Sequence, residues 1–271
     1  MTLEIRGIWK SFSGAAGPQH VLRGVDLVVA EGGFVSLIGH SGCGKSTLLN
    51  IIGGLADADA GVVRLDGAIV TAPGPDRAMV FQNYSLLPRL SLYDNVVRAV
   101  AASDRRRTRA RAVELTERYL TAVGLWDHRE KRPAQVSGGM QQRCAVARAF
   151  AVEPRVLLLD EPFGALDALT RATLQRELTQ LWQSETATEI VLMVTHGVDE
   201  AALLSDRVVV MGNAPGPSIV EELNVNIARP RDPAANRDRL HEIEVRLLDR
   251  LRQEHLMTDL SNADPNADVA A

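Results

Sequence analysis

Residues 39–46 form the segment of this sequence with the most specific chemistry. They read Gly-His-Ser-Gly-Cys-Gly-Lys-Ser and fit the pattern G-x-x-x-x-G-K-[ST]. Glycines let successive backbone N–H groups turn inward around phosphate oxygens, and a following helix directs the positive end of its dipole at the same anion. The lysine would neutralise the β- and γ-phosphates, and the last serine hydroxyl can bind Mg²⁺. We therefore predict a nucleotide site formed by Gly39, His40, Ser41, Gly42, Cys43, Gly44, Lys45, Ser46 and Thr47.

Two acidic residues follow an apolar run later in the chain. Val156–Leu159 is typical of a buried strand, and Asp160 and Glu161 come directly after it. The carboxyl end of a parallel strand opens into the ligand crevice of an α/β sheet. There Asp160 could hold Mg²⁺ through water, and Glu161 could polarise an attacking water as a general base. A turn or helix cap is the alternative for this pair, and the upstream phosphate pattern favours the catalytic interpretation.

The composition is that of an ordinary globular protein. The 271 residues can bury a sizeable core, 46% of them are hydrophobic, and the formal charge is -4. An acidic pI near 5.9 disfavours a surface built for nucleic acid. The apolar runs are far shorter than the ~20 residues of a spanning helix, and residues 1–10 lack an export signal. With only Cys43 and Cys144, we expect a cytoplasmic protein with two free thiols.

Hydrophobic periodicity predicts an α/β fold. Residues 3–29 favour antiparallel strands, and Phe34–Ile38 is a short buried strand that leads into the glycine loop and a helix over Ser46–Ile52. Residues 92–151 carry helical spacing with few strand signals. From Val156 onward, apolar strands alternate with helices, which favours βαβ units and a parallel sheet.

The carboxyl-terminal part predicts one further helix. Leucine and isoleucine residues recur at helical spacing over Asn236–Leu256, so this helix should be amphipathic and needs a partner surface. Residues 258–271 have the small and polar composition of a disordered tail. The expected division is an ATP-binding domain over residues 1–228 with a helical part at about 84–151, a helix region over 229–257, and the tail.

The order of these motifs resembles the ATP-binding subunit of ABC transporters over about residues 3–222. Residues 136–140, Val-Ser-Gly-Gly-Met, look like the signature of that family, which opens a helix. In the family this loop reaches across a dimer to the γ-phosphate held by the partner chain, a role that Ser137, Gly138 and Gly139 would inherit. The usual signature has Leu first and Gln last, so two positions depart from it. From the residues alone, Ser137 could be only a helix N-cap.

Four further residues match motifs of this family. Gln82 matches the Q-loop glutamine, which touches Mg²⁺ or the lytic water, and His196 resembles the switch histidine that contacts the γ-phosphate. Asp167 matches the D-loop at the dimer seam, and Phe12 stands where the family stacks an aromatic ring on adenine. From the residues alone they would be an exposed loop glutamine, a structural histidine, a helix N-cap and a strand-core phenylalanine.

The resemblance implies a P-loop NTPase fold of ABC type. This fold has a RecA-like, mainly parallel sheet core, an antiparallel β subdomain and a helical subdomain. It also implies that a dimer, expected to be a homodimer, hydrolyses ATP with Mg²⁺. Glu161, His196 and Gln82 would be catalytic, and the metal would be held by Ser46, Gln82 and Asp160.

The resemblance also implies partners and a location. Closure and opening of the dimer would drive separate permease subunits, with a solute-binding protein involved indirectly and no nucleic acid. The chain would lie at the cytoplasmic face of the inner membrane. Residues 73–77 and 80–88 look most like nitrate-type importers, with sulfonate and taurine relatives close behind, so nitrate or nitrite is the expected solute. Arg89 stands where family examples often have tryptophan.

Two other classes of ATPase remain as alternatives. A non-transport member of the superfamily would act in DNA repair or on the ribosome. Repair members insert long coiled coils between the positions of Gln82 and Ser137, for which this chain has no room, and ribosome-associated members typically carry two cassettes. A non-catalytic ATP-dependent module would have lost Lys45, Glu161 or His196, and all three are present.

Cys43 lies inside the phosphate pattern. We therefore expect its thiol to react with an alkylating reagent when nucleotide is absent and to be protected by ATP. A metal or redox role is disfavoured, because Cys43 and Cys144 lack any paired ligand spacing.

Overall fold

The computed structural model describes residues 1–14, 17–104, 106–164, 166–184, 187–214 and 216–263, with side chains as far as Leu256. The chain divides into two compact units. The first comprises Met1–Ala72 together with Val194–Ala271, and the second comprises Pro73–Met193. The first unit contains the phosphate pattern, and the second contains the acidic pair and the signature-like segment.

The described residues form ten strands and seven α-helices. In chain order these are β1 (Thr2–Gly14), β2 (Gly17–Ala30), β3 (Phe34–Gly39), α1 (Lys45–Ile52), β4 (Ala60–Leu65), β5 (Ala68–Ile69), β6 (Arg77–Val80), α2 (Leu92–Ser103), α3 (Arg109–Ala122), α4 (Gly138–Ala151), β7 (Val156–Asp160), α5 (Ala168–Gln183), β8 (Ile190–Val194), α6 (Val198–Leu204), β9 (Arg207–Met211), β10 (Ile219–Asn224) and α7 (Arg237–Ala263). Two short 3₁₀ turns, Trp126–His128 and Pro133–Gln135, precede α4.

The first unit opens with an antiparallel sheet in the order β2-β1-β4-β5. β1 pairs with β2 along most of its length and with β4 on its other edge. Leu3 and Ile5 are fully buried, whereas Glu4 between them is partly exposed, because successive side chains of a strand point to opposite faces. This sheet confirms the antiparallel strands expected at the start of the chain.

β3, the strand that carries the phosphate pattern, lies in the same unit. It pairs in parallel with β9, and β9 pairs in antiparallel with β10. All six residues of β3 are buried, which explains why its sequence is apolar apart from Ser36. β10 was not predicted from the sequence. Glu221 and Glu222 interrupt its apolar pattern, as charged residues commonly do on edge strands.

The second unit combines parallel strands with a helical block. β6 pairs in parallel with β7, in the strand order β8-β7-β6. α2, α3 and α4 fall within the stretch 92–151 that was expected to be helical. Tyr119 of α3 and Phe150 of α4 are fully buried and stack with their ring centroids 6.2 Å apart. The parallel pairing agrees with the predicted βαβ organisation.

α7 finds its partner surface within the first unit. Its Leu240 and Leu247 are buried in a cluster that also contains residues of β3, α6, β9 and β10, and Ile243 and Leu251 pack against that cluster. The amphipathic helix is therefore confirmed. It continues to Ala263, beyond the expected boundary at 257, and residues 264–271 of the expected tail lie outside the described residues. In the part of the chain that the structure describes, no helix is long and apolar enough to cross a membrane.

Candidate functional site

The phosphate pattern forms the connection between β3 and α1, and two of its glycines are sterically required. Gly44, which precedes α1, has a φ of 98°, in the left-handed region that favours glycine. A Cβ atom on Gly44 would lie 2.6 Å from Cδ2 of Leu22, and one on Gly39 would lie 2.5 Å from the carbonyl oxygen of Met211. Neighbouring protein atoms therefore leave no room for a side chain at either position.

Lys45 is folded back onto this loop. The residue is 5% exposed, and its ammonium donates to the carbonyl oxygens of Gly39 at 2.7 Å and His40 at 2.9 Å. A longer contact of 3.7 Å joins the ammonium to Sγ of Cys43. The cation is therefore held in the loop itself, where it could neutralise a phosphate.

The remaining residues of the pattern surround this lysine. Ser41 and Gly42 are exposed, and Ser46 and Thr47 lie partly buried in the first turn of α1. The N–H groups of a first helical turn have no partner within the helix and point toward its amino-terminal end. An anion in the loop would therefore meet backbone donors as well as the lysine.

The environment of Cys43 bears on one expectation from the sequence. The residue is 2% exposed, and burial raises the pKa of its thiol despite the nearby charge of Lys45. Alkylation requires the thiolate and access to it. Both observations argue against the expectation that Cys43 reacts with an alkylating reagent when nucleotide is absent, which stays a prediction to be tested. Cys43 and Cys144 are both free, as expected.

Each of the predicted Mg²⁺ ligands carries an oxygen donor. Ser46 offers a hydroxyl, Gln82 an amide oxygen, and Asp160 a partly buried carboxylate at the end of β7. Mg²⁺ binds oxygen ligands and is often held by one or two carboxylates while phosphates and waters fill the remaining positions. This donor set fits the ion. Among the described residues, no cluster of three or more His, Cys, Asp or Glu could hold a metal by itself.

Gln82 and Glu161 are joined directly within the second unit. The side-chain amide of Gln82 donates to Oε2 of Glu161 at 2.9 Å. Glu161 follows β7 with a φ of 48°, an uncommon conformation for a residue other than glycine. Such outliers cluster at functional sites, where the surrounding structure holds them. The structure thus brings together two of the three predicted catalytic residues.

Arg148 holds the loop that follows Gln82, and the sequence did not point to it. Its guanidinium donates to the carbonyl oxygens of Tyr84 at 3.1 Å and Ser85 at 2.7 Å. Both of these residues have positive φ, 62° and 46°. Burial lowers the pKa of Arg148. A forked cation thus fixes two strained residues next to a candidate catalytic glutamine.

The signature-like segment begins α4. The Ser137 hydroxyl accepts a hydrogen bond from the Met140 N–H at 3.3 Å, so the N-cap expected from the residues alone is present. Gly138 and Gly139 form the first turn. A Cβ atom on Gly139 would lie 2.5 Å from Cγ2 of Thr170, which explains the need for glycine there.

Gln142 of α4 contacts the backbone next to the acidic pair Asp160 and Glu161. It is 1% exposed, and its amide donates to the Pro162 carbonyl at 2.6 Å. Pro162 directly follows Glu161 in the chain. Sequence reasoning missed this residue, although its place one turn into the signature helix was visible.

Asp167 caps α5. Its carboxylate accepts hydrogen bonds from the N–H groups of Leu169 and Thr170 and from the Thr170 hydroxyl. These bonds, with that of the Thr170 hydroxyl the largest, lower the pKa of Asp167. Thr170 also adjoins Gly139, so the structure brings the D-loop residue and the signature glycine to a common neighbour. The N-cap expected from the residues alone is present, and a role at a dimer seam stays a prediction.

His196 and Phe12 are both exposed. His196 follows β8 in a turn where the Gly197 N–H donates to the Thr195 hydroxyl at 3.0 Å. Phe12 is 49% exposed near the end of β1, with the Lys10 ammonium 5.6 Å from its ring centroid. A strand-core phenylalanine is therefore excluded. An exposed ring is what stacking on a base requires, and that role stays a prediction.

Known proteins are similar to this chain in sequence and in fold. Residues 22–164 match the family described as ABC transporter. The chain is 50% identical over 240 residues to the bicarbonate transport ATP-binding protein CmpD of Synechocystis sp., across 89% of this chain and 83% of that protein. It is 48% identical over 228 residues to the nitrate import ATP-binding protein NrtD of Synechococcus elongatus, across 84% and 82%. A dimeric, post-hydrolysis structure of the ATP-binding cassette MJ0796 with ADP and Pi matches with a TM-score of 0.72 and 30% identity, across 83% of this chain and all of that one.

Proposed function

Because the chain belongs to the ABC transporter family and is an ATPase of that family, we propose that it energises the import of nitrate. The observation that carries the proposal is the identity of nearly half over most of both chains with a protein named for nitrate import. The phosphate loop and the Gln82–Glu161 pair supply the chemistry that such a subunit needs.

The phosphate loop of the first unit would bind the nucleotide. Lys45 is held where its charge can neutralise phosphate oxygens, and the glycines leave the backbone N–H groups open to them. Ser46, Gln82 and Asp160 would hold Mg²⁺. The ion supplies charge compensation for the triphosphate when bound. Phe12 would stack on the adenine.

Glu161 would act as the general base. Its carboxylate is oriented by the amide of Gln82, which can also contact the lytic water because an amide both donates and accepts. His196 would contact the γ-phosphate. The proton taken from water would pass to the Glu161 carboxylate as the water oxygen attacks the γ-phosphorus, and the bond from that phosphorus to the bridging oxygen would break to release ADP.

Hydrolysis would require two chains. Ser137, Gly138 and Gly139 begin a helix with N–H groups suited to an anion, and we assign them to the nucleotide bound by a second copy. The dimeric state of the MJ0796 cassette supports this assignment. An isolated monomer is then expected to bind ATP and hydrolyse it poorly.

This subunit would lie at the cytoplasmic face of the membrane. ATP hydrolysis by the dimer would drive conformational changes in separate permease subunits, which move the solute. This ATPase would not itself meet the solute, which the permease and a solute-binding protein would recognise. Nitrate and bicarbonate are both planar oxyanions with one negative charge, and relatives named for each occur. The segments 73–77 and 80–88 favour nitrate.

The test is to isolate a tagged chain from membranes, identify the proteins that copurify, and assay ATPase activity with nitrate, bicarbonate or taurine and the copurified binding protein. Recovery of a multi-spanning permease and stimulation by nitrate would support the proposal. Stimulation by bicarbonate alone would change the solute, and recovery of ribosomes or DNA would overturn transport while leaving the ATPase.

A further inference from the structure

The carboxyl-terminal helix α7 reaches the phosphate loop. Nε2 of His40 lies 3.0 Å from the carbonyl oxygen of Leu251. Since a carbonyl oxygen can only accept, Nε2 carries the hydrogen of this bond. The rings of His40 and His255 lie with their centroids 5.0 Å apart and their planes tilted by 30°. Two groups of α7 therefore contact one residue of the loop.

α7 is anchored independently of this contact. Leu247 is 1% exposed within the cluster that the helix covers. Arg246 and Arg250 lie 2.7 Å and 3.7 Å from the Glu221 carboxylate of β10. Exposed ion pairs contribute little, so the buried leucines are the main anchors. The helix can therefore act as a fixed support for the loop.

His40 connects this support to Lys45, the predicted phosphate-binding lysine. Its side chain faces α7, while its backbone carbonyl accepts from the Lys45 ammonium at 2.9 Å. The contacts of the imidazole with α7 restrain the position of His40, and a shift of the His40 backbone would alter one of the two carbonyl contacts of Lys45.

We infer that α7 positions the phosphate loop for nucleotide binding, with the Leu251 carbonyl and the His255 ring holding His40. This inference rests on the proposed role of the loop. A loop already held in its binding conformation loses less conformational freedom when the ligand arrives, so it binds more tightly. His255 is thus a positioning residue. Gln82 and Glu161 belong to the other unit, so their chemistry should be unaffected.

The test compares two substitutions at His255 with a matched control. His255→Ala removes the ring, and His255→Phe keeps a flat ring against His40. His241→Ala makes the same truncation elsewhere on α7. For each full-length variant, the Kd of MgADP is measured by calorimetry, KM and kcat by an ATPase assay, and folding by thermal melting.

His255→Ala should raise the Kd and KM about three- to tenfold, with kcat within about twofold of the parent. His255→Phe should restore most of the affinity, and His241→Ala should match the parent. In a double-mutant cycle, adding His255→Ala to His40→Ala should weaken binding no further. Unchanged or tighter binding in His255→Ala, or equal weakening in His241→Ala, would overturn the inference.

Lys45→Ala separates this inference from the function on which it rests. If Lys45→Ala abolishes MgADP binding while His255→Ala leaves it unchanged, the result supports nucleotide binding by the phosphate loop and contradicts the positioning role of α7. If a folded Lys45→Ala variant binds MgADP like the parent, the proposed phosphate site itself fails.

Discussion

The side-chain amide of Gln82 holds the carboxylate of Glu161 at 2.9 Å. The two residues follow neighbouring parallel strands, β6 and β7, and so emerge at the same edge of the sheet. Because the Gln82 amide is neutral, it can orient the Glu161 carboxylate without neutralising the negative charge of that carboxylate. This is the arrangement that a general base requires, since the base must stay able to take a proton.

Replacing Glu161, the proposed general base, should separate nucleotide binding from turnover. Glu161→Gln keeps the size of the side chain and removes its basicity, so ATP binding should persist while kcat falls by about a hundredfold or more. Equilibrium binding of ATP and steady-state hydrolysis measure the two effects. Glu117→Gln on the exposed face of α3 is the matched control and should behave like the parent. Parent-like hydrolysis by Glu161→Gln would remove Glu161 from its role.

The contact between Gln142 and Pro162 should matter for stability. Gln142→Leu leaves a buried carbonyl without its donor, so the free energy of unfolding should fall by about 1–3 kcal/mol. Urea unfolding measures the change. Gln141→Leu, at the partly exposed neighbouring position, should change the stability much less. Equal losses in the two variants would show that the bond to Pro162 contributes nothing specific.

Arg148 should act on catalysis through the loop that follows Gln82. Arg148→Lys cannot donate to the Tyr84 and Ser85 carbonyls in the same forked geometry, and burial disfavours its charge. We expect kcat to fall about three- to tenfold while the Kd of MgADP stays near that of the parent. Arg109→Lys, on the exposed start of α3, is the control. A change in Kd with kcat preserved would contradict this role.

Alkaline pH should destabilise the protein through Cys144. Burial raises the pKa of this thiol from about 9 to about 12. Above pH 9 the unfolded thiol ionises while the folded one stays protonated, so the unfolded state binds fewer protons and stability falls as pH rises. The loss should approach about 1.4 kcal/mol per pH unit between these two values. Urea unfolding of the parent and of Cys144→Ala, under reducing conditions at pH 8 and pH 10.5, measures this loss. An equal fall in the free energy of unfolding of both proteins would exclude this thiol as the cause.

The two thiols should also be slow to react. Both are buried with raised pKa values, so iodoacetamide should label neither Cys43 nor Cys144 appreciably at neutral pH. Mass spectrometry after a timed exposure measures the labelling, and the same protein in urea provides the reactive control. Rapid labelling of Cys43 in the folded chain would mean that the loop opens.

Local sequence patterns predicted the elements that carry the site. Continuous apolar runs identified β3 and β7, because strands buried on both faces need no alternation. The caps Ser137 and Asp167 were recognisable because a cap acts within three residues of its own chain. The comparison with MJ0796 confirms the fold class that these elements implied.

Contacts between distant segments could not be predicted in this way. The periodicity of α4 shows that it has a buried face, but not that Gln142 meets Pro162 or that Arg148 meets Ser85. Likewise, the apolar stripe of α7 required a partner surface without specifying β3 and α6 or placing the helix beside His40. These pairings depend on the tertiary arrangement, which periodicity does not encode.

The three hydrogens of the Lys45 ammonium have acceptors of unequal strength. Two short bonds go to the carbonyls of Gly39 and His40, and the third contact is with the sulfur of Cys43, a weak acceptor at 3.7 Å. An arriving phosphate oxygen can therefore displace the sulfur and leave both carbonyl bonds in place. If the loop binds nucleotide as proposed, this weak sulfur contact leaves the third ammonium hydrogen available to the phosphate.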